Sequence, residues 1–251
     1  DLNREKLNHN TLEKKIAIVG SGPTGLTCAA FLTQKGYNVT IYEKHKKLGG
    51  LLRYGIPDFR LSKEVLDNQI GKIVDLGISV ICNRELGKDY TLNELRDNYD
   101  AVFLAFGANC SRRMNIPGEN LMGVFGGNEL LEYGNHPNYN GKKVAVIGGG
   151  NVAMDVARTI KRLGANQVYI VYRRAEEQMP AEKKEIEDAK NEGIEFLLQH
   201  NVVKVNGGNN TNDYKNDKNK DKKKDEVLEQ CVCSIECVRT ELVCKEGDDR
   251  L

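Results

Sequence analysis

The sequence predicts an α/β protein with two successive parallel sheets, each carrying helices on both faces. Three observations support this. Short apolar runs alternate with helical segments, and the alternation occurs twice along the chain. In each half a glycine-rich turn joins the first apolar run to a helical segment: Gly20-Ser21-Gly22-Pro23-Thr24-Gly25 and Gly148-Gly149-Gly150-Asn151-Val152-Ala153. The length of 251 residues, 39% of them apolar, suffices for one large core or two modest ones.

In the first half, Ile16-Ala17-Ile18-Val19 reads as a buried parallel strand and Leu26 to Leu32 as the opening turns of a helix rich in small and apolar residues. Strand, glycine turn and helix together form the dinucleotide-binding fingerprint of a Rossmann-like unit. Gly20 permits the tight turn, Gly22 lets a pyrophosphate approach the backbone, and Gly25 lets helix and strand pack closely. The helix N-terminus then faces the phosphates. Asn38-Val39-Thr40-Ile41-Tyr42 reads as the next strand and ends at Glu43, the offset at which a carboxylate meets a ribose hydroxyl. This favours an unphosphorylated ribose, as in FAD or NAD. The glycine- and proline-dense stretch from Leu48 to Leu61 reads as an irregular but apolar loop that packs on something flat, and Ala101 to Leu104 as a further strand.

The second half repeats the plan. Val144 to Ile147 is the strand, Val152 to Leu163 the helix, and Gln167 to Tyr172 the following strand. Arg173-Arg174 stand where the first unit has its carboxylate. Two guanidiniums there can hold a ribose 2′-phosphate through charge-assisted hydrogen bonds, which points to NADPH rather than NADH. We place the first domain at residues 1–127 and the second at 128–251, with the turn-rich stretch 135–141 leading into the second fingerprint strand. Residues 206–226, almost all Asn, Gly, Asp and Lys, read as a disordered insertion.

With 37 basic against 36 acidic residues, the chain has no electrostatic footprint for nucleic acid or anionic membrane. It shows no bilayer-spanning apolar run and no signal-peptide pattern, so a cytoplasmic location is expected. His9, His45, His136 and His200 are scattered and read as surface or loop residues; Asp155 reads as a helix-packing group. No acid–base or nucleophilic constellation stands out. Of seven cysteines, Cys231, Cys233, Cys237 and Cys244 cluster, but alternate spacing along an apparent strand puts them on one face as free thiols, in preference to an iron–sulphur or zinc site. No metal site is expected.

The segments 49–61, Gly148 to Arg158 and Tyr172 to Pro180 resemble the FAD- and NADPH-binding region of the glutamate synthase small (beta) subunit family. That family includes the flavin modules of dihydropyrimidine dehydrogenase and of bifurcating ferredoxin:NADP oxidoreductase. The resemblance runs from about Lys14 to His200 and resumes weakly near Ile235. It implies two flavin disulphide-reductase-like domains, FAD in the first and NADPH in the second. It further implies that Gly20, Gly22, Pro23 and Gly25 line the FAD pyrophosphate and that Glu43 binds the adenosine ribose. Gly50, Leu51 and Arg53 would lie along the dinucleotide, and Gly107 and Ala108 where the chain passes the flavin. In the second domain Gly148, Gly150, Asn151 and Val152 would meet the NADPH pyrophosphate and Arg173 and Arg174 the 2′-phosphate. Glu185 stands at the spacing where the more distantly similar adrenodoxin reductase-like proteins place a nucleotide-contacting carboxylate, with an exposed helix glutamate as the alternative.

The activity so implied is hydride transfer from NADPH to FAD, then electron transfer to an iron–sulphur partner, either a glutamate synthase large subunit or a ferredoxin-like protein. Family members carry cluster-binding cysteines upstream of the first fingerprint and a return segment with a Gly-Asp motif after the NADPH domain. The sequence shows neither, so an incomplete member is expected, with the clusters residing in the intact protein or its partner. A ferredoxin:NADP oxidoreductase-type subunit and a non-catalytic nucleotide-binding fragment are the alternatives.

Overall fold

The computed structural model describes residues 13–208 and 231–241. The chain divides into two compact units at Asn109/Cys110, with Leu131–Tyr133 belonging to the first unit.

The first unit runs β1 (Lys15–Val19), α1 (Pro23–Gln34), β2 (Asn38–Tyr42), α2 (Leu51–Tyr54), α3 (Lys63–Val74), β3 (Ser79–Ile81), α4 (Leu92–Asn98) and β4 (Ala101–Leu104). Its four strands are all parallel in the order β3-β2-β1-β4. Strand period two decides which residues face which layer. Ile16 and Ile18 of β1, with Val39 and Ile41 of β2, pack against Leu26 and Ala29 of α1 and Leu66 and Ile70 of α3. Ala17 and Val19 point the other way, onto Tyr90 and onto Leu95 of α4. Helices therefore cover both faces. Ile18 and Ile41 are fully buried, so truncating either to alanine would cost about 2–5 kcal/mol. Thr91 and Glu94 form a reciprocal capping box that starts α4.

In the second unit follow β5 (Lys143–Ile147), α6 (Asn151–Arg162), β6 (Gln167–Tyr172), a 3₁₀ turn (Glu176–Gln178), α7 (Lys183–Asn191), β7 (Glu195–Leu198), β8 (His200–Gly208) and β9 (Cys231–Arg239). Strands β5, β6 and β7 form a parallel sheet in sequence order, while β8 and β9 form an antiparallel ribbon. The apolar stripe of α6, Ala153, Met154, Val156, Ala157 and Ile160, is buried. Residues 110–130 belong to this unit for identifiable reasons. Ser111 donates its backbone N–H (3.0 Å) and its hydroxyl to the Glu129 carboxylate. Val205 N donates to Pro117 O at 2.9 Å, and Val232 N to Met122 O at 2.9 Å. Glu129 precedes the last turn of a short helix, α5 (Gly127–Tyr133), whose final residues belong to the first unit.

Three local readings are corrected. Inside the 48–61 stretch Leu51–Tyr54 forms a helical turn, because Gly50 at φ +49° supplies the left-handed entry that lets four ordinary side chains follow. Asn206–Gly208, placed in the disordered insertion, are strand residues paired with Ser234, Val232 and Cys231; the rest of that insertion lies outside the described residues. The cysteines of β9 do not share one face. The register shift between Asn206 and Gly207 leaves Cys233 out of the pairing, so Cys231 is buried, Cys233 exposed and Cys237 half-buried. Cys244 lies outside the described residues.

Candidate functional site

Both fingerprints fold into the same local geometry. Gly20, at φ +103°, donates its N–H to Tyr42 O at 2.8 Å; Gly148, at φ +141°, donates to Val171 O at 3.0 Å. Each first glycine thus ties the end of the leading strand to the neighbouring one and turns the chain into a helix. A Cβ on Gly20 would lie 2.3 Å from Ala105 O, and one on Gly25 2.0 Å from Gly20 O. Backbone forbids side chains at both. In the second unit Ala153 takes the place of Gly25, and the spacing to Gly148 accommodates its methyl.

The central glycines are different. Gly22 has φ −67° and Gly150 φ −95°, values open to any residue. A Cβ on Gly22 would meet nothing nearer than Gly50 Cα at 4.0 Å, and one on Gly150 nothing nearer than Pro180 Cγ at 3.8 Å. Nothing among the described residues requires glycine there; a ligand pressed against the loop would. Each is the N-cap of a twelve-residue helix, α1 or α6, with no side-chain cap and no acidic residue in the first turn. Such an end presents free backbone N–H groups and a positive dipole end, a ready site for an anion. Pro23 at the start of α1 sacrifices no helical hydrogen bond.

At the end of β2 the Glu43 carboxylate is buried, 4% exposed. Its Oε2 accepts from Ser21 N (3.1 Å) and from the Ser21 hydroxyl, and Oε1 accepts from His45 N at 2.8 Å. Ser21 in turn accepts from Gly49 N at 3.1 Å. The carboxylate therefore braces the first glycine loop against the 49–54 loop, where a Cβ on Gly50 would meet Gly22 Cα at 2.6 Å. Leu51 is exposed. Arg53 turns inward: its Nε donates to Leu48 O and its guanidinium pairs with Asp67 of α3. Hydrogen bonds from Arg53, then Lys47, hold the Asp67 carboxyl below its ordinary range. Gly107 at φ +74° and Ala108 lie in the irregular stretch after β4. Burial, then the Glu43 carboxylate, pushes the Tyr90 phenol up to about 12, so it stays protonated at neutral pH.

Around the second loop, Asn151 Oδ1 accepts from Glu182 N at 2.9 Å, and Val152 is exposed. Arg173 is exposed and Arg174 half-buried. Neither guanidinium has a hydrogen-bond or ion-pair partner among the described residues. Arg158 of α6 is the opposite case: it is buried and pairs with Glu185 (2.6 Å), Asp188 (3.2 Å) and Glu192 (2.9 Å). Glu185, predicted at the nucleotide, is thus engaged by Arg158. Of the histidines, His45 stacks on Tyr54 at 4.1 Å and meets Glu132 at 2.9 Å, His136 meets Tyr139 and His200 meets Leu198 O. All three are half-buried; His45 and His136 lie in loops, whereas His200 opens β8, and His9 lies outside the described residues. Among the described residues no group of His, Cys, Asp or Glu could hold a metal ion, and no helix is long and apolar enough to cross a membrane.

Sequence reasoning missed Ser21, Arg158 and the pairing of Tyr172 with Gly149. Ser21 and Gly149 do carry a signal, a small residue at a variable fingerprint position. Arg158 sits on a helix face whose acidic partners lie 27 to 34 residues away in sequence.

The chain is similar to curated proteins at about 40% identity. It is 39% identical over 217 residues to the glutamate synthase [NADPH] small chain of Escherichia coli, covering 80% of this chain and 46% of that one. It is 42% identical over 206 residues to the NADP(+)-dependent formate dehydrogenase subunit beta of Moorella thermoacetica, covering 79% and 29%. Against the NADPH-Fe(3+) oxidoreductase subunit beta of Geobacter sulfurreducens it is 42% identical over 193 residues, covering 74% and 29%. The chain thus spans less than half the length of these relatives. Among solved structures, a mutant of FprA from Mycobacterium tuberculosis superposes with a TM-score of 0.76 at 22% identity, covering 94% of this chain and 66% of that one. Thioredoxin reductase from T. acidophilum does so with a TM-score of 0.54 at 18% identity, covering 78% and 68%. These two likenesses show the shared α/β fold. The sequence pattern of the pyridine nucleotide-disulphide oxidoreductases matches residues 14–238, and again 3–53, and the chain belongs to that family.

Proposed function

We propose that this chain is the nucleotide-handling part of an NADPH-dependent flavoprotein oxidoreductase, with FAD in the first unit and NADPH in the second. The observation that carries the reading is the pair of uncapped helix N-termini, each fronted by a glycine that nothing among the described residues requires, Gly22 and Gly150. When bound, the cofactors supply hydride transfer from nicotinamide to flavin and onward electron transfer to an iron–sulphur centre.

The residues of the chain bind and orient. Gly20, Gly22, Pro23 and Gly25 form the FAD pyrophosphate loop, and Glu43 fixes that loop while offering its remaining lone pairs to the ribose. Gly50, Leu51, Gly107 and Ala108 line the path toward the flavin, with Arg53 holding the loop that carries the first two. Gly148, Gly150, Asn151 and Val152 form the NADPH pyrophosphate loop. Arg173 and Arg174, whose guanidiniums have no protein partner among the described residues, take the 2′-phosphate. For Glu185 the ion pair with Arg158 favours support of α7 over contact with the nucleotide.

The relatives' names speak of small chains and beta subunits, and an iron–sulphur subunit such as a glutamate synthase large chain or a ferredoxin-like protein is the partner this reading expects. The compartment it expects is the cytoplasm. The test is the visible spectrum of the purified chain with FAD under anaerobic conditions. A flavin spectrum that bleaches with NADPH but not with equal NADH supports the reading. Flavin retention without bleaching leaves a binding fragment and refutes the redox assignment, and a chain that holds neither nucleotide refutes the reading altogether.

A further inference from the structure

The second glycine loop and the arginine pair are joined by a closed ring of contacts that centres on Tyr172. Its aromatic ring covers Gly149: a Cβ there would lie 2.7 Å from Cδ2 and 2.8 Å from Cε2 of the ring, so this loop position must be glycine because of Tyr172. Its hydroxyl donates to Gln178 O at 2.7 Å, at the end of the 3₁₀ turn. The chain then returns to the loop, where Ala181 N donates to Gly149 O at 3.1 Å and Glu182 N to Asn151 Oδ1 at 2.9 Å. Tyr172 also immediately precedes Arg173. The backbones of both arginines are pinned in turn: Thr240 Oγ1 donates to Arg173 O, and Gln199 N donates to Arg174 O at 3.1 Å.

We infer that Tyr172 is a positioning residue for nucleotide selectivity: it sets the geometry between the pyrophosphate loop and the Arg173-Arg174 pair, so that a nucleotide with a 2′-phosphate engages both. This rests on the NADPH reading of the second unit. The physical reason is preorganisation. A dinucleotide spans both anion sites, and binding is tightest when their separation is fixed beforehand. Tyr172 touches the loop with its ring and the returning segment with its hydroxyl, whereas the guanidiniums it serves are left free for the ligand.

The test uses the full chain and measures dissociation constants for NADPH and NADH, together with thermal unfolding, in Tyr172→Phe, in Arg173→Ala/Arg174→Ala and in the triple variant. Tyr172→Phe keeps the ring over Gly149 and removes one hydrogen bond. The dissociation constant for NADPH is expected to rise by about 2- to 10-fold, with a smaller change for NADH, so that the preference for NADPH falls. In the arginine-free background the same substitution should change NADPH binding no further, because its effect acts through the pair. If Tyr172→Phe lowers only the unfolding temperature and leaves the NADPH/NADH ratio intact, or if its effect persists undiminished without the arginines, the inference is overturned while the NADPH reading stands. If the arginine substitutions themselves leave the ratio unchanged, the NADPH reading falls and the inference with it.

Discussion

Arg158→Met tests how the second unit is held together. The Arg158 side chain is 6% exposed and faces three carboxylates: Glu185 at 2.6 Å, Glu192 at 2.9 Å and Asp188 at 3.2 Å. Methionine preserves most of the stem packing but leaves those carboxylates without the cation. Removing one partner of a buried ion pair costs about 3–5 kcal/mol, chiefly because the other charge stays desolvated. Here the low end applies. Glu192 keeps Arg162 at 2.8 Å, and Asp188 is already 38% exposed, while the more buried Glu185, at 12%, loses its 2.6 Å partner. A loss of about 3 kcal/mol at roughly 2–4 °C per kcal/mol lowers the melting temperature by about 6–12 °C. Circular dichroism melts of the full chain at pH 7 read this directly. A shift under about 2 °C would refute the claim that Arg158 holds α7 on α6. Glu185→Gln completes the test: it should lower the melting temperature and leave NADPH affinity unchanged. If affinity falls at constant stability, Glu185 contacts the nucleotide after all.

Gly22→Ala and Gly150→Ala should melt like the parent chain, since both sites have room and permissive φ, yet each should weaken its own nucleotide by tenfold or more, on the order of 1.4 kcal/mol. Calorimetric titration with FAD and NADPH checks this, and unaltered affinity would remove the argument for a ligand at those loops. Glu43→Ala strips the acceptor from Ser21 N, Ser21 Oγ and His45 N, so a loss of about 2–4 kcal/mol in the first unit is expected in denaturant melts, together with loss of flavin retention. A stable Glu43→Ala that still holds FAD would show the brace to be dispensable. Burial lowers the pKa of His136 from its ordinary 6.5, so the folded state binds its proton less readily than the unfolded chain. Its contribution is present above pH 6.5 and lost as pH falls through the lowered value. The fall in denaturation midpoint between pH 7.5 and 5.5 should therefore be smaller in His136→Gln, and an equal fall in both would dismiss the histidine as its source.

Much of this fold was legible because its signals are local. Strands β2, β4 and β6 fall where alternation and apolar runs place them, and β1, β5, α1 and α6 differ only by a few residues at their ends. The glycine loops were legible for the same reason, since strand, turn and helix are contiguous. What escaped was set by contacts distant in sequence. The attachment of residues 110–130 to the second unit follows from Pro117 and Met122 meeting strands some 90 to 110 residues away. The one-face reading of the β9 cysteines failed on a register shift imposed by its partner strand, which no periodicity within β9 records. The inward turn of Arg53 toward Asp67 was hidden likewise, because a charge between two apolar residues looks the same in sequence whether it faces a ligand or a helix.

The two units answer one physical problem with opposite charges. Each has an uncapped helix end suited to an anion, and that feature alone cannot distinguish one dinucleotide from another. On the proposed reading, discrimination comes from the end of the neighbouring strand, where the first unit has a buried carboxylate and the second a guanidinium pair without a partner among the described residues. A carboxylate held by Ser21 and His45 repels a 2′-phosphate and cannot swing away from it, because its partners fix it in place. Guanidiniums on a pinned backbone, without a partner among the described residues, attract the same group. On the proposed assignment of FAD to the first unit and NADPH to the second, exchange of the two nucleotides would be disfavoured at both ends. A charge reversal at one end alone, Arg173→Glu with Arg174→Glu, should abolish NADPH binding in the second unit without moving FAD affinity in the first. A fall in FAD affinity in that variant would show that the two nucleotides are not assigned one to each unit.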